Sequence, residues 1–337
     1  MTEYRIVELL GDGIGSELRE AVHQLAAAYP FKLVFDPVDL SVDARSPEAY
    51  DRAVAAIEDA GVALKYPTAT VKESPNQVLR KRLNLSVIHR PVVTIPGVRT
   101  NFTGHINLDV VRVATGGTYA DPGRLIGKEA AVALRIVEAE PSRHAARYAF
   151  ELGRKLGRRV TSSSKYTIQR LTDGLFESIV DELATEYPDV KTERELFDAL
   201  LAKICLKPEH YQIVLVLNEY GDFLSDMACG LVGSLGLGAS GNYAFSGETV
   251  RLALFDAAHG TAPDIAGKGI ANPTAIFFAV ELMLIHLGET EAAAATRATI
   301  LELLESGRST GDLGGPLDTK AFTAEVAGRI KTALGTA

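Results

Sequence analysis

Asp256-Ala-Ala-His259-Gly260-Thr261-Ala262-Pro263-Asp264-Ile265-Ala266-Gly267-Lys268-Gly269-Ile270-Ala271-Asn272-Pro273-Thr274 is too rich in glycine, proline and small polar residues to be a core strand or helix. It reads as an ordered binding loop that runs into a helix at about Asn272. Before it lies an apolar, strand-like run, Val250–Leu254, and after it come helix-period stretches at 272–287, 290–306 and 319–334. The same alternation fills the rest of the chain. Strand-like runs fall at Leu85–His89, Val110–Val113, Val160–Ser164 and Ile213–Leu217, and helical ones at 141–156, 170–185 and 192–205. The chain opens with a strand, Tyr4–Leu10, a glycine turn, Gly11-Asp12-Gly13-Ile14-Gly15, and a helix from Ser16 to Ala28. Ser46-Pro47 sets a capping hydroxyl before a proline at the first helical position, starting a helix to about Ala60. Helices and strands alternating throughout predict an α/β sheet.

The 337 residues are enough for two domains or one large α/β unit, and 47% hydrophobic with 23% charged residues is ordinary globular usage. A net charge of −8 gives no general attraction to nucleic acid or an anionic membrane, so any anionic ligand must meet a local basic cluster. Cys205 and Cys229 sit in apolar stretches, which predicts buried thiols in a reducing compartment and no zinc site. The opening MTEYRIVELLGDG lacks the features of a signal peptide, and no apolar run approaches the ~18 residues of a membrane span. The expectation is a cytoplasmic protein. Arg90–Thr100, RPVVTIPGVRT, is a candidate crossing point between domains.

The glycine motifs do not make a dinucleotide fingerprint. Gly11 to Gly15 has the strand-turn-helix context but lacks the last glycine, whereas Gly236-Leu-Gly238-Ala-Ser-Gly241 has the spacing but follows a helical segment. Gly123-Arg-Leu-Ile-Gly127-Lys128-Glu129 is one residue short of a phosphate loop. A basic cluster is present: Arg80, Lys81, Arg82 and Arg90 follow Ser74-Pro75-Asn76, and Arg112 interrupts an apolar strand where it needs a carboxylate or an anionic ligand. The alternative for the first group is a solvated basic face. Lys165, among serines just past a strand, is either a surface lysine or a general base. Asp222 and Asp226 stand i and i+4 apart, so on a helix they share a face suited to Mg²⁺ or Mn²⁺. Capping of a helix N-terminus by Asp222 is the plainer alternative.

GDGIG, SPNQVLR, the Arg90-Pro91 pair, Lys165-Tyr-Thr-Ile with TDGLF, YGDFLSD, HGTAPDIAGKGIANPTA and the late DLGG follow one another across nearly the whole chain. This ordered set resembles the β-decarboxylating dehydrogenase family, which includes isocitrate, homoisocitrate, 3-isopropylmalate and tartrate dehydrogenases. The resemblance is closest to isocitrate dehydrogenase-like members. It implies an isopropylmalate dehydrogenase-like, non-Rossmann α/β fold with two domains sharing a large mixed sheet. Residues 1–93 plus 238–337 would form the large cofactor-binding domain, and 94–237 a smaller one carrying metal-binding and dimer-forming elements. It also implies a homodimer with shared active sites acting on a small hydroxy acid.

Carried over by position, Ser74, Asn76, Arg80, Arg90 and Arg112 would hold the substrate carboxylates, and Tyr119 would protonate the enol after CO₂ loss. Lys165 would serve as base in the neighbouring subunit's site, while Asp222 and Asp226, with Asp198 from the other subunit, would bind the divalent metal. Thr70, His259, Gly260, Thr261, Ala262, Pro263, Asp264, Ile265 and Asn272 would bind the cofactor. Asp264-Ile265 matches NAD-using members, since a carboxylate accepts from a ribose hydroxyl and repels a 2′-phosphate. Ser74 and Asn76 favour a substrate with a third polar arm. The expected reaction is therefore NAD-dependent oxidative decarboxylation of isocitrate or an isocitrate-like acid. Homoisocitrate, 3-isopropylmalate and a phosphonate analogue are the alternative substrates, and a non-catalytic regulatory subunit is the alternative role. The chain departs from the family at Arg112-Val-Ala-Thr-Gly-Gly-Thr-Tyr119, where R-E-N-T-E-G-x-Y is usual, and at Lys65-Tyr66-Pro67, where K-G-P is usual.

Overall fold

In a computed structural model, which describes residues 2–71 and 73–336, ten strands form one mixed sheet. The strands are β1 (Glu3–Leu10), β2 (Lys32–Asp39), β3 (Val62–Lys65), β4 (Leu85–Val93), β5 (Asn107–Val113), β6 (Arg124–Ile126), β7 (Ala130–Val132), β8 (Val160–Ser164), β9 (Thr192–Leu196), β10 (Ile213–Val216), β11 (Ala239–Ser246) and β12 (Thr249–Ala257). The helices are α1 (Gly15–Ala26), α2 (Pro47–Ala60), α3 (Pro75–Arg82), α4 (Ala139–Leu156), α5 (Thr172–Ala184), α6 (Phe197–Leu206), α7 (Asn218–Val232), α8 (Thr274–His286), α9 (Thr290–Glu305) and α10 (Thr319–Ala333).

The sheet order is β2-β1-β3-β12-β11-β4-β5-β10-β8-β9, and β6 and β7 form a separate hairpin. Two parallel sets, β2-β1-β3-β12 and β5-β10-β8-β9, are joined through β11 and β4, whose pairings are all antiparallel. The large mixed α/β sheet expected from the sequence is thus present. The parallel strands β3 and β10 are buried along their whole length because helices cover both faces of the sheet there. Helix α8 is buried over almost its whole circumference, which marks a core helix and fixes the end of the loop that precedes it.

The glycine turn after β1 is a packing device. A Cβ on Gly11 would collide with the Pro67 carbonyl, and one on Gly13, at φ +59°, with the Thr261 carbonyl. Ile14 N–H donates to that Thr261 oxygen at 3.0 Å and Asp12 N–H to Pro67 at 2.7 Å, so the turn clamps two loops together. Tyr66, where the family has glycine, donates its hydroxyl to the fully buried Glu8 at 2.9 Å.

Three expectations from the sequence need correction. The stretch 192–205 is not one helix: Thr192–Leu196 is a charged edge strand beside β8, and α6 starts at Phe197. Charges on an edge strand blunt its open hydrogen-bonding side and hide the strand pattern. Cys205 is exposed, because α6 turns that side to solvent, and only Cys229 is buried. Asp222 does not cap a helix, since α7 begins one turn earlier at Asn218. Among the described residues, no helix is long and apolar enough to cross a membrane.

Candidate active site

Side chains alternate across a strand, so Val92 on β4 and Leu108 and Val110 on β5 pack against α7 together with Arg90 and Arg112, while His89 and Asp109 face the other way. Arg90 and Arg112 therefore point toward the same helix. Arg112 is 2% exposed, and its Nε and Nη2 donate to Asn218 Oδ1 at 3.0 and 2.8 Å while Nη1 pairs with Asp222. Gly221 makes this approach possible, because a Cβ there would lie 2.6 Å from Arg112 Cβ. Arg90 donates from Nη1 to Ser225 Oγ at 2.7 Å and lies 3.5 and 3.6 Å from Asp222 and Asp226. Among the described residues its buried Nε has no hydrogen-bond partner. Tyr119, on a short 3₁₀ turn after β5, donates its hydroxyl to Asp222 Oδ2 at 3.1 Å.

The electrostatics of this cluster call for an anion. Burial, with repulsion from Arg90 and Arg80, pulls the Arg112 guanidinium down to about 9. Burial and Arg90 pull Arg80 down to about 10. Burial pushes the Asp222 carboxyl up, but Arg112 and Arg90 outweigh it and hold the group below its ordinary value. Burial and the Asp222 charge both push the Tyr119 phenol up, so it stays a proton donor at neutral pH.

Arg80 enters the cluster from α3, where Asn76 stands one turn earlier, and both line a small cleft with Asn242 and Asp256. Ser74 precedes this helix without making a capping hydrogen bond, so its hydroxyl is free for a ligand. Asn218, Ser225 and Asn242 were not expected at the site from the sequence. None carries a local signal: Asn242 sits in β11, Ala-Ser-Gly-Asn-Tyr-Ala-Phe-Ser, whose burial is seen only in the fold. Asn242 donates to Asp256 at 3.2 Å, and Lys65 Nζ lies 4.0 Å from Asp256 Oδ2.

The glycine-rich loop runs from the end of β12 to α8. His259 turns Nδ1 to the Gly260 carbonyl at 3.0 Å, while its buried Nε2 has no partner and burial lowers its basicity. Thr70 is exposed, and Asp264 is exposed with Ile265 half-buried beside it. Thr261 and Ala262 are half-buried, Gly260 and Pro263 exposed, and Ala262 takes φ +39°, a tight left-handed turn. Asn272 accepts from Thr274 N–H at 2.9 Å and donates to Asp312 at 3.0 Å, which ties the loop to the late DLGG segment.

Lys165 and Asp198 are not in this cluster. They pair with each other at 2.6 Å on a separate, partly exposed patch, where Lys165 holds the Asp198 carboxyl below its ordinary value. Asp222 and Asp226 do share one face of α7, as their spacing predicts, yet among the described residues no three His, Cys, Asp or Glu side chains form a metal-holding group. The donor chemistry nonetheless fits a hard divalent cation: two carboxylates, with Asp226 63% exposed, beside arginines that a bound anion would engage.

Residues 5–330 match the model of a family described as isocitrate/isopropylmalate dehydrogenase. The chain is 37% identical to mitochondrial NAD isocitrate dehydrogenase subunit 2 of Kluyveromyces lactis, over 97% of this chain and 91% of that one. It is 35% identical to a mitochondrial regulatory subunit of NAD isocitrate dehydrogenase from Dictyostelium discoideum, over 98% and 93%. The crystal structure of isocitrate dehydrogenase from Methylococcus capsulatus superposes with a TM-score of 0.87 at 33% identity, covering 97% of this chain and 99% of that one. The cytoplasmic placement expected from the sequence is overturned by the two curated relatives, both of which are mitochondrial. Both are also named as subunits, which leaves a homodimer without support from them.

Proposed function

The chain belongs to the isocitrate/isopropylmalate dehydrogenase family, and from that premise we propose that it oxidises and decarboxylates isocitrate or a close tricarboxylate analogue with NAD. The observation that carries this reading is the convergence of Arg80, Arg90 and Arg112 around Asp222 and Tyr119. Three guanidiniums suit an acid with several carboxylates, and Ser74 and Asn76 offer polar contacts to a third arm where an alkyl group would find none. The NAD-dependent relatives and the exposed Asp264 carboxylate both support NAD over NADP.

Asp222 and Asp226 would hold a divalent cation that would polarise the C2 oxygen, and the loop from His259 to Asn272 would seat the dinucleotide that would take up the C2 hydride. The arginines hold the carboxylates and fix which face of C2 is presented. Lys165 receives the hydroxyl proton from the site of another chain, since within one chain it stands apart with Asp198. Loss of the β-carboxylate as CO₂ leaves its bonding pair on C3, and Tyr119 donates its hydroxyl proton there. The sharing chain is a second copy or a related subunit. We read 1–93 plus 238–337 and 94–237 as the two domains, with the seam between β4 and β5.

NADH formation with Mg²⁺ across isocitrate, homoisocitrate, 3-isopropylmalate, tartrate and a phosphonate analogue tests this reading. Isocitrate should show the highest kcat/KM, and a higher value for 3-isopropylmalate would overturn the roles of Ser74 and Asn76. The regulatory relative favours a second reading, a ligand-binding subunit without turnover. That reading requires an inactive protein that activates a catalytic partner.

A further inference from the structure

Between the Tyr119 turn and the Lys165 loop lies a buried charge triad that none of the assigned roles uses. Arg135, 14% exposed, pairs through Nη1 with Glu219 and sits 2.9 Å through Nη2 from Asp173 Oδ1, the two carboxylate side chains being 4% and 0% exposed. The Asp173 arm is an ion pair by distance without hydrogen-bond geometry, since among the described residues Arg135 Nε and Nη2 have no hydrogen-bond partner. Each carboxylate has its other oxygen on a backbone N–H. Glu219 Oε2 accepts from Thr118, the residue before Tyr119, at 3.3 Å. Asp173 Oδ2 accepts from Lys165 at 2.7 Å and from the Tyr220 hydroxyl at 3.2 Å. The Arg135 guanidinium lies over the Tyr220 ring, 4.9 Å from its centre.

The backbone is fitted to this triad. Gly117 stands at φ +69°, and a Cβ there would collide with Glu219 Oε2. Gly117 also exchanges hydrogen bonds with Ile136, the neighbour of Arg135, at 2.6 and 3.2 Å. Resting on the function proposed above, we infer that Arg135, held between Glu219 and Asp173, is a positioning residue that fixes the proton-donating Tyr119 turn and the proton-accepting Lys165 loop in one frame. Among the described residues, none of the three side chains hydrogen-bonds or ion-pairs with Asp222 or Asp226, so the triad acts mainly through the backbone, with a lesser push of the Glu219 charge on the Tyr119 phenol. A guanidinium suits this place because its fork reaches two carboxylates, whereas an ammonium is a point charge. In a poorly solvated setting the two carboxylates would otherwise repel each other and release both loops.

Glu219→Gln and Arg135→Lys test the inference through the proton-transfer half of the reaction. The readout is exchange of the C3 protons of 2-oxoglutarate with D₂O, followed by NMR with Mg²⁺ and NADH and no bicarbonate, alongside steady-state kcat and KM. Misplacing a reacting group by about 1 Å costs up to ~10²-fold, so exchange and kcat should both fall about 10- to 100-fold. KM for isocitrate should stay within about threefold, because the arginines are untouched. Wild-type exchange in a folded Glu219→Gln protein overturns the inference; if that variant does not fold, Arg135→Lys decides by the same two outcomes. Tyr119→Phe separates the two levels: if it loses exchange while both triad variants keep it, the inference fails and the proposed function stands. If Tyr119→Phe keeps exchange, the proton-donor role of Tyr119 itself falls.

Discussion

Arg112 and Lys165 are both cations paired with an aspartate, but they sit in opposite surroundings. Arg112 is enclosed, with Asn218 and Asp222 supplied by its own chain, and the sheet and α7 hold it from both sides. Lys165 is about a third exposed and pairs with Asp198, itself 66% exposed. The proposed anion-binding half of the site is thus built within one chain, and the proposed proton-accepting half faces outward. With Lys165 as the proposed base, its distance from the arginine cluster of its own chain makes shared sites part of the proposal, and each half should fail in its own way.

Lys165→Met should give the largest loss of activity, because general-base catalysis contributes about 10²- to 10⁴-fold, with Tm almost unchanged since exposed pairs add ~0–1 kcal/mol. Mixing Lys165→Met with Asp222→Asn protein under subunit exchange should then restore turnover, since one hybrid site has both intact groups. Two inactive parents giving an inactive mixture would mean that Lys165 and Asp222 serve the same chain's site. Arg112→Gln should behave differently. Removing one partner of a buried pair costs about 3–5 kcal/mol of stability, so Tm should fall. Losing a charged hydrogen bond to the substrate should lower kcat/KM about 10- to 100-fold, and mixing with Lys165→Met should rescue one hybrid site here too. An unchanged Tm would show that Arg112 is not the buried anchor of this half.

Much of this was legible locally. The spacing of Asp222 and Asp226 placed them on one helical face, and a lone arginine in an apolar strand announced that Arg112 needs an anion. What the sequence hid depends on pairing across distance. Asn218 and Ser225 act only because strand alternation aims Arg112 and Arg90 at α7, and no local pattern states that register. Glu219 carries no signal in the sequence, because its place depends on Gly117, distant along the chain, making room for it. The edge strand β9 was hidden for a related reason: its charged residues satisfy an open sheet edge rather than a buried face. The glycine turn after β1 was legible as a turn, while its purpose, the clamp on Pro67 and Thr261, belongs to tertiary contact.

Acid titration compares the two aspartates at the smallest expected effect. Arg112 and Arg90 hold the Asp222 carboxyl below its unfolded value of about 4, so the folded state binds its proton less readily than the unfolded chain. A depressed carboxyl contributes stability that is fully present above the unfolded value and is lost as pH falls through the folded one. Asp222→Asn should therefore lower stability at pH 7 by about 1–2 kcal/mol, discounted because the side chain is 34% exposed. The difference from wild type should shrink as pH drops below about 4. Asp198 is lowered in the same direction by Lys165, but in open solvent, where salt screens the pair. Asp198→Asn should accordingly shift the denaturation midpoint far less at pH 7, and that small shift should vanish in high salt while the Asp222→Asn shift persists. Equal, salt-sensitive shifts for both would show that Asp222 is no more enclosed than Asp198, and the contrast between a half built into the chain and a half offered outward would collapse.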